Sequence, residues 1–261
     1  MIYRLYSIPA YYLTVTCFGM VGFALSVGGF LLGWLPVRPG IERFFQRAIH
    51  RCFRLFVWWG RVANVMPVEF VNFPCASRGA VVLAANHPAL VDITLLLARL
   101  PEAVCIFKPA IRRNPVLGAA ARRAGYLAGD GGPDLVRRAA EIVAAGNTLV
   151  VFPEGTRTPR GEALLPFKPG FVLIARRARA PIQLVRIETD SNVLAKGLPW
   201  WDAPILPARF VLTLGPLVST DNDLSPTELS ARIAQWFATP APACHDVLAG
   251  LTLPAPTPSV R

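Results

Sequence analysis

The stretch AVVLAANHPALVDITLLLAR, residues 80–99, reads as an apolar strand that runs through a polar turn into a helix. Residues 80–85 are apolar without a break, as expected of a strand covered on both faces. Pro88 suits the first turn of a helix over 89–99, where its missing N–H costs nothing. His87 then falls at the strand-to-helix junction, the place where open α/β sheets gather ligands and chemistry. With His87 just outside the helix and turned back over its first turn, Asp92 reaches one ring nitrogen. The other nitrogen is left as a general base held in one tautomer. A helix cap beside a solvated acid would be the plainer reading of a lone H-x-x-x-x-D.

The pattern repeats outward from this stretch. Strand-length apolar runs lie at 104–107, 148–152, 182–187 and 210–214, with helix-like segments between them at 116–123, 134–145 and 171–177. Gly146 is placed to stop the third helix, counting that over 89–99 as the first. Ser225-Pro226-Thr227-Glu228 is a capping box with Pro in the first turn of a last helix. Such alternation predicts an α/β fold with a mostly parallel, mixed sheet flanked by helices. The strand over 148–152 ends in FPEGTRT, a second polar turn. If the strands are parallel, Glu154, Gly155, Thr156 and Arg157 emerge at the same sheet edge as His87. Gly permits close backbone approach there, and Arg offers a planar fork for an anionic group.

Ahead of this body, residues 5–37 carry no charge, a run longer than the ~20 helical residues that cross a bilayer core. Gly28-Gly29, Gly33 and Pro36 could divide it, so one tilted span and a re-entrant hairpin both fit. Next come arginines at 43, 47, 51 and 54, one stripe of a helix whose other faces are rich in Phe, Leu and Trp. That pattern fits a helix lying on anionic lipid, with a second transmembrane helix as the alternative. If the first run spans once, the arginines from 38 to 61 place the following domain on the cytoplasmic face of the inner membrane. The organisation expected is a membrane-anchoring helical segment with a basic interfacial helix over 1–65, an α/β domain over 66–238, and a disordered Pro/Ala-rich tail over 239–261.

Composition agrees with a lipid partner. Hydrophobic residues make up 53% of the 261 and charged ones only 16%, yet the net charge is +11. A nucleic-acid binder would also be basic, but here the arginines cluster beside the apolar anchor and no recognition fold is legible. The five cysteines form no CxxC pair, and the histidines at 50, 87 and 245 lie far apart. Neither a disulfide framework nor a metal site is expected.

NHPALVD at 86–92 resembles the NHxxxxD motif of the glycerolipid acyltransferase family, typified by 1-acylglycerol-3-phosphate O-acyltransferases. FPEGTRT at 152–158 resembles that family's FPEGTRS element, Phe167-Lys168-Pro169-Gly170 its F-K-x-G, and Ala180-Pro181-Ile182 its later V-P-I strand. Lys108, Pro115 and Gly118 resemble the segment between the first two motifs. The likeness covers about 66–220. It implies that His87 takes the proton from an acceptor hydroxyl attacking an acyl thioester, with Asp92 orienting the imidazole. It assigns Glu154, Gly155 and Arg157 to the acceptor, with Arg157 on a phosphate and Lys168 aiding an anionic group, while Thr156 in the same turn offers the substrate a hydroxyl. The donor would be acyl-CoA or an acyl carrier protein, the acceptor a lyso-lipid such as 1-acylglycerol-3-phosphate, with no cofactor or metal.

One departure bears on the acceptor. The family's second motif ends in an arginine, whereas Gly125-Tyr126-Leu127-Ala128-Gly129-Asp130-Gly131 has none; Arg122 and Arg123 precede it. The segment 196–201 resembles relatives that acylate other lipids, such as ornithine or polyene lipids. A non-catalytic lipid-binding relative and a thioester hydrolase complete the alternatives.

Overall fold

The structure is a computed structural model describing residues 2–34, 36, 38–73, 79–129, 131–159, 162, 164–199, 201–202, 204–239 and 252–253. Cys75, Asp130, Cys244, His245 and most of the tail expected to be disordered lie outside these residues.

The described strands are β1 (Val68–Val71), β2 (Val81–Ala85), β3 (Val104–Phe107), β4 (Leu127–Ala128), β5 (Thr148–Val151), β6 (Ile182–Thr189), β7 (Phe210–Val218) and β8 (Thr252–Leu253). They form one sheet in the order β1-β7-β6-β2-β5-β3-β4, with β8 on β7. Pairing is parallel except at β6–β7 and β7–β8, so the sheet is mixed and mostly parallel. Thr252 and Leu253, within the stretch expected to be a tail, pair with β7 as β8.

β2 sits at the centre, and its alternation divides the core. Val82 and Ala84 face one layer, Leu83 and Ala85 the other. The first layer is covered by α5 (Gly132–Ala144), α6 (Gly170–Arg177) and α7 (Pro226–Ala238), whose Val143, Val172 and Ile233 are fully buried. Gly146, at φ +92°, ends the turn after α5, and the Ser225–Glu228 capping box opens α7 as the sequence predicts. The second layer is covered by α3 (Asp92–Arg99) through Leu95, Leu96 and Leu97.

α3 begins at Asp92, three residues later than the helix expected from 89. The Asp92 carboxylate accepts the Ala89 N–H at 2.8 Å, so 88–91 form a capped turn instead of a helical one.

Residues 5–31 of the charge-free run lie in one helix, α1 (Ile2–Leu31), which continues through Gly28-Gly29. α2 (Pro39–Val62) returns antiparallel to it: Trp59 Nε1 donates to Thr14, while Phe18 packs on Phe53 and Phe56. α1 is inverted relative to a helix of a water-soluble protein. It buries Ser7, Thr14, Gly22, Ser26 and Gly29 and exposes Met20, Phe23, Phe30 and Leu31. Its small residues let it lie against α4 (Gly118–Arg123), where Ser26 donates to the Val116 carbonyl at 2.8 Å. α2 has three faces. Phe45, Gln46 and Ile49 are buried, Arg43, Arg47, Arg51 and Arg54 form an exposed stripe, and Phe44, Leu55 and Val62 are exposed between that stripe and α1.

Candidate active site

The parallel strands deliver the site. In the β2–β5 register Ala84 lies opposite Val151, so His87 and Glu154, each three residues further on, leave the sheet side by side. The His87 backbone N–H donates to Glu154 Oε1 at 2.8 Å, and the Thr158 N–H donates to the His87 carbonyl at 2.9 Å. Thr158 also donates its hydroxyl to Glu154 Oε2. The two polar turns are therefore one hydrogen-bonded unit.

Within it, His87 Nδ1 lies 2.9 Å from Asp92 Oδ2. Because that oxygen also accepts from Ala89 N–H, the shared proton belongs on Nδ1, which leaves the Nε2 lone pair free. The Phe152 ring stacks on the imidazole at 4.0 Å, with planes 14° apart, and fixes its tilt. Asp92 is fully buried. Burial raises its carboxyl above the usual range, opposed by the His87 and Ala89 hydrogen bonds. A carboxylate hydrogen-bonded to Nδ1 is placed to balance the charge of a ring whose Nε2 takes up a proton.

Sequence reasoning passed over Asn86. Its amide closes a two-bond bracket with Ile187, donating to the carbonyl at 2.8 Å and accepting the N–H at 2.7 Å. This ties the end of β2 to β6, and a polar residue ending an apolar run was the available signal. Thr158 and Phe152 were likewise quoted within a motif but given no task.

His87 opens on a cavity of about 800 Å³ enclosed by α1, α2 and the sheet edge. Its walls are mostly apolar, including Phe18, Leu25, Phe53, Ile93, Leu97 and Tyr126. Cys105 lies on this wall, and burial pushes its thiol up to about 12, so it packs as a neutral side chain. Burial and the neighbouring Cys105 also raise Tyr126.

Gly155, Thr156, Arg157 and Lys168 line the cavity together with His87, whereas Glu154 lies behind its wall with both carboxylate oxygens engaged. Gly155 has φ +69°, and a Cβ there would come within 3.2 Å of Lys168 Nζ, so glycine lets the amine cross the turn. Arg157 Nη1 donates to the Leu194 carbonyl at 2.8 Å. Among the described residues, Lys108, Arg157 and Lys168 are the cations on the cavity wall. Arg122 and Arg123 do not replace the missing second-motif arginine. Arg123 is buried and donates to the Gly29 and Leu32 carbonyls at the end of α1, while Arg122 donates to the Arg112 carbonyl.

The Acyltransferase family model matches residues 67–188, the span that holds both turns. A lyso-ornithine lipid O-acyltransferase from Pseudomonas aeruginosa is 34% identical over 188 residues, 70% of this chain and 69% of that protein. The chain belongs to the acyltransferase family. It is an enzyme of acyl transfer. A 1-acyl-sn-glycerol-3-phosphate acyltransferase from Helicobacter pylori is 36% identical over 111 residues, covering 40% of this chain and about half, 47%, of the relative. The crystal structure of the 1-acyl-sn-glycerophosphate acyltransferase PlsC from Thermotoga maritima shares the fold, with a TM-score of 0.63 at 22% identity over 90% of this chain and 94% of that one. As an acyltransferase, the chain departs from expectation at the glycine loop after β4. Gly131 and Gly132 both have φ +81°, and the described part of the loop brings no cation to the cavity.

Proposed function

We propose that this acyltransferase moves a fatty acyl group from an acyl thioester to a hydroxyl of a lysophospholipid at a membrane surface. The observation that carries this reading is the His87–Asp92 pair, 2.9 Å apart, with His87 on the wall of the apolar cavity together with Arg157 and Lys168. His87 Nε2 takes the hydroxyl proton as the oxygen attacks the thioester carbon. Asp92 holds the ring and balances its charge, and the carbonyl reforms as thiolate leaves. Thiolate is a good leaving group, so no strong acid and no protein nucleophile is required. The cavity takes an apolar chain, and the cations take the anionic part of the acceptor or the donor.

Membrane association is supported by the inverted surface of α1, by the 29-residue apolar stretch Tyr6–Trp34, and by the three-faced α2. Because α1 rests on α4 over Gly22 to Gly29, the helix pair is read as embedded with the domain against it, its arginines toward the cytoplasmic lipid headgroups.

For the acceptor, 1-acylglycerol-3-phosphate fits Arg157 and Lys168. A second reading, an ornithine-lipid acceptor with a carboxylate in place of phosphate, is favoured by the missing second-motif arginine and by the relative matched over two thirds of its length. The test is turnover by the detergent-solubilised protein, using labelled acyl-CoA or acyl carrier protein, against lysophosphatidate, lyso-ornithine lipid and other lyso-lipids. Ester formed on lysophosphatidate supports the first reading, and turnover confined to lyso-ornithine lipid supports the second. Failure with every acceptor and both donors contradicts the proposal.

A further inference from the structure

Between β6 and β7 the chain makes a loop, 192–206, that the reaction described above does not use. Its base is stitched shut: Ser191 donates its hydroxyl to the Ile205 carbonyl at 2.6 Å, and the Ile205 N–H donates to Asn192 Oδ1 at 2.7 Å. Its underside is pinned to the core by buried Val193 and Ala195. Its outer side is apolar, with Leu198 42% exposed, Trp201 60% and Ile205 51%, and Lys196 exposed beside them. Three large apolar side chains exposed on one loop make an apolar surface patch.

Two contacts indicate what covers it. Tyr12 of α1 donates its hydroxyl to the Trp201 carbonyl at 2.5 Å, so the loop meets α1, a helix that exposes apolar side chains such as Tyr6, Leu13 and Met20. At its other end, Leu194 sits in the left-handed region at φ +50°, a conformation a branched side chain adopts only when its surroundings hold it. Its carbonyl accepts both Arg157 Nη1 at 2.8 Å and the Leu90 N–H at 3.2 Å. Leu90 and Arg157 both line the cavity beside His87. One short loop thus joins the lipid-facing surface to a cation of the active site.

We propose that the described residues of this loop, 192–199, 201–202 and 204–206, make a membrane contact. Leu198, Trp201 and Ile205 seat in the bilayer interface beside α1, and the Leu194 carbonyl thereby sets Arg157 at the cavity mouth for an acceptor presented by that bilayer. The occupant is a phospholipid surface, because the patch is continuous with α1 and pairs apolar side chains with a lysine in a chain of net charge +11. This rests on the membrane-surface reading of the function. Leu194 is a positioning residue, acting through Arg157.

The experiment compares the whole protein with Trp201→Phe on vesicles of phosphatidylcholine and phosphatidylglycerol whose acyl chains carry bromine, a quencher of tryptophan emission. The expected result is that the difference emission between the two proteins is quenched by the brominated lipid. Unquenched difference emission, with the remaining tryptophans quenched, overturns the loop assignment and leaves the membrane reading intact. No quenching of any tryptophan overturns both. For the coupling to Arg157, Trp201→Ser with Ile205→Ser is assayed with lyso-lipid in vesicles and in detergent micelles. Turnover on vesicles relative to micelles is expected to fall about tenfold, through a raised apparent KM rather than a lowered kcat. An unchanged ratio overturns the coupling.

Discussion

The Asp92 carboxylate is the residue on which folding and chemistry pull in opposite directions. Burial raises its pKa above the unfolded value near 3.8. The stability it contributes is therefore full below that unfolded value and is lost as pH rises through the higher folded one. Asp92→Asn escapes that loss. Thermal unfolding in detergent should show the variant gaining on the wild type between acid and neutral pH, while its turnover falls about 10²–10⁴-fold because the imidazolium loses its counter-charge. A parallel fall in stability and activity would mean that Asp92 is structural. Glu154 makes a different prediction, since it braces the His87 backbone from behind the cavity wall. Glu154→Gln keeps an oxygen for that N–H and should retain most of the turnover. Glu154→Ala strands a polar group and should cost about 1–3 kcal/mol by denaturant unfolding, with a larger loss of kcat. The roles of these two carboxylates were unequally legible in sequence. The reach from His87 to Asp92 follows from a strand-to-helix junction, whereas the task of Glu154 depends on strand register. Spacing along one chain does not encode which residue faces which across two parallel strands.

At the scale of elements, the seam between α1 and α4 holds the apolar helix pair to the α/β sheet and its helices. A Cβ on Gly29 would stand 3.1 Å from the Ala119 backbone, while one on Gly28 meets nothing within 4 Å. Gly29→Leu should lower stability by about 1–3 kcal/mol in detergent unfolding, and Gly28→Leu should be tolerated. Equal effects would contradict this packing. The apolar runs of β2, β3 and β5 were legible because buried parallel strands are largely apolar, and β6 and β7 were legible through apolar stretches broken only by Gln183, Arg186 and Thr213. β1 was not, since it is four residues long and carries Glu69. β4, two residues long, is shorter than any periodicity. The late start of α3 also escaped, because the Asp92 side chain supplies the hydrogen bond that ends the turn. α1 was recognised as apolar, but the side it turns to the protein depends on small residues that hydropathy does not weigh.

For the whole molecule, the proposed function sets the His87–Asp92 pair between a bilayer and the α/β sheet. The exposed arginines of α2 make the first consequence electrostatic. Replacing Arg43, Arg51 and Arg54 with Gln should weaken binding to anionic vesicles by about 1 kcal/mol for each residue near the surface and flatten its salt dependence in a flotation assay. The measurement that bears most directly on the central claim is acyl transfer by His87→Ala, with vesicle binding and thermal unfolding followed on the same preparation. Turnover should drop by about 10²–10⁴-fold, with binding and unfolding unchanged. Turnover retained in a folded, vesicle-bound His87→Ala protein would contradict general-base catalysis by this dyad.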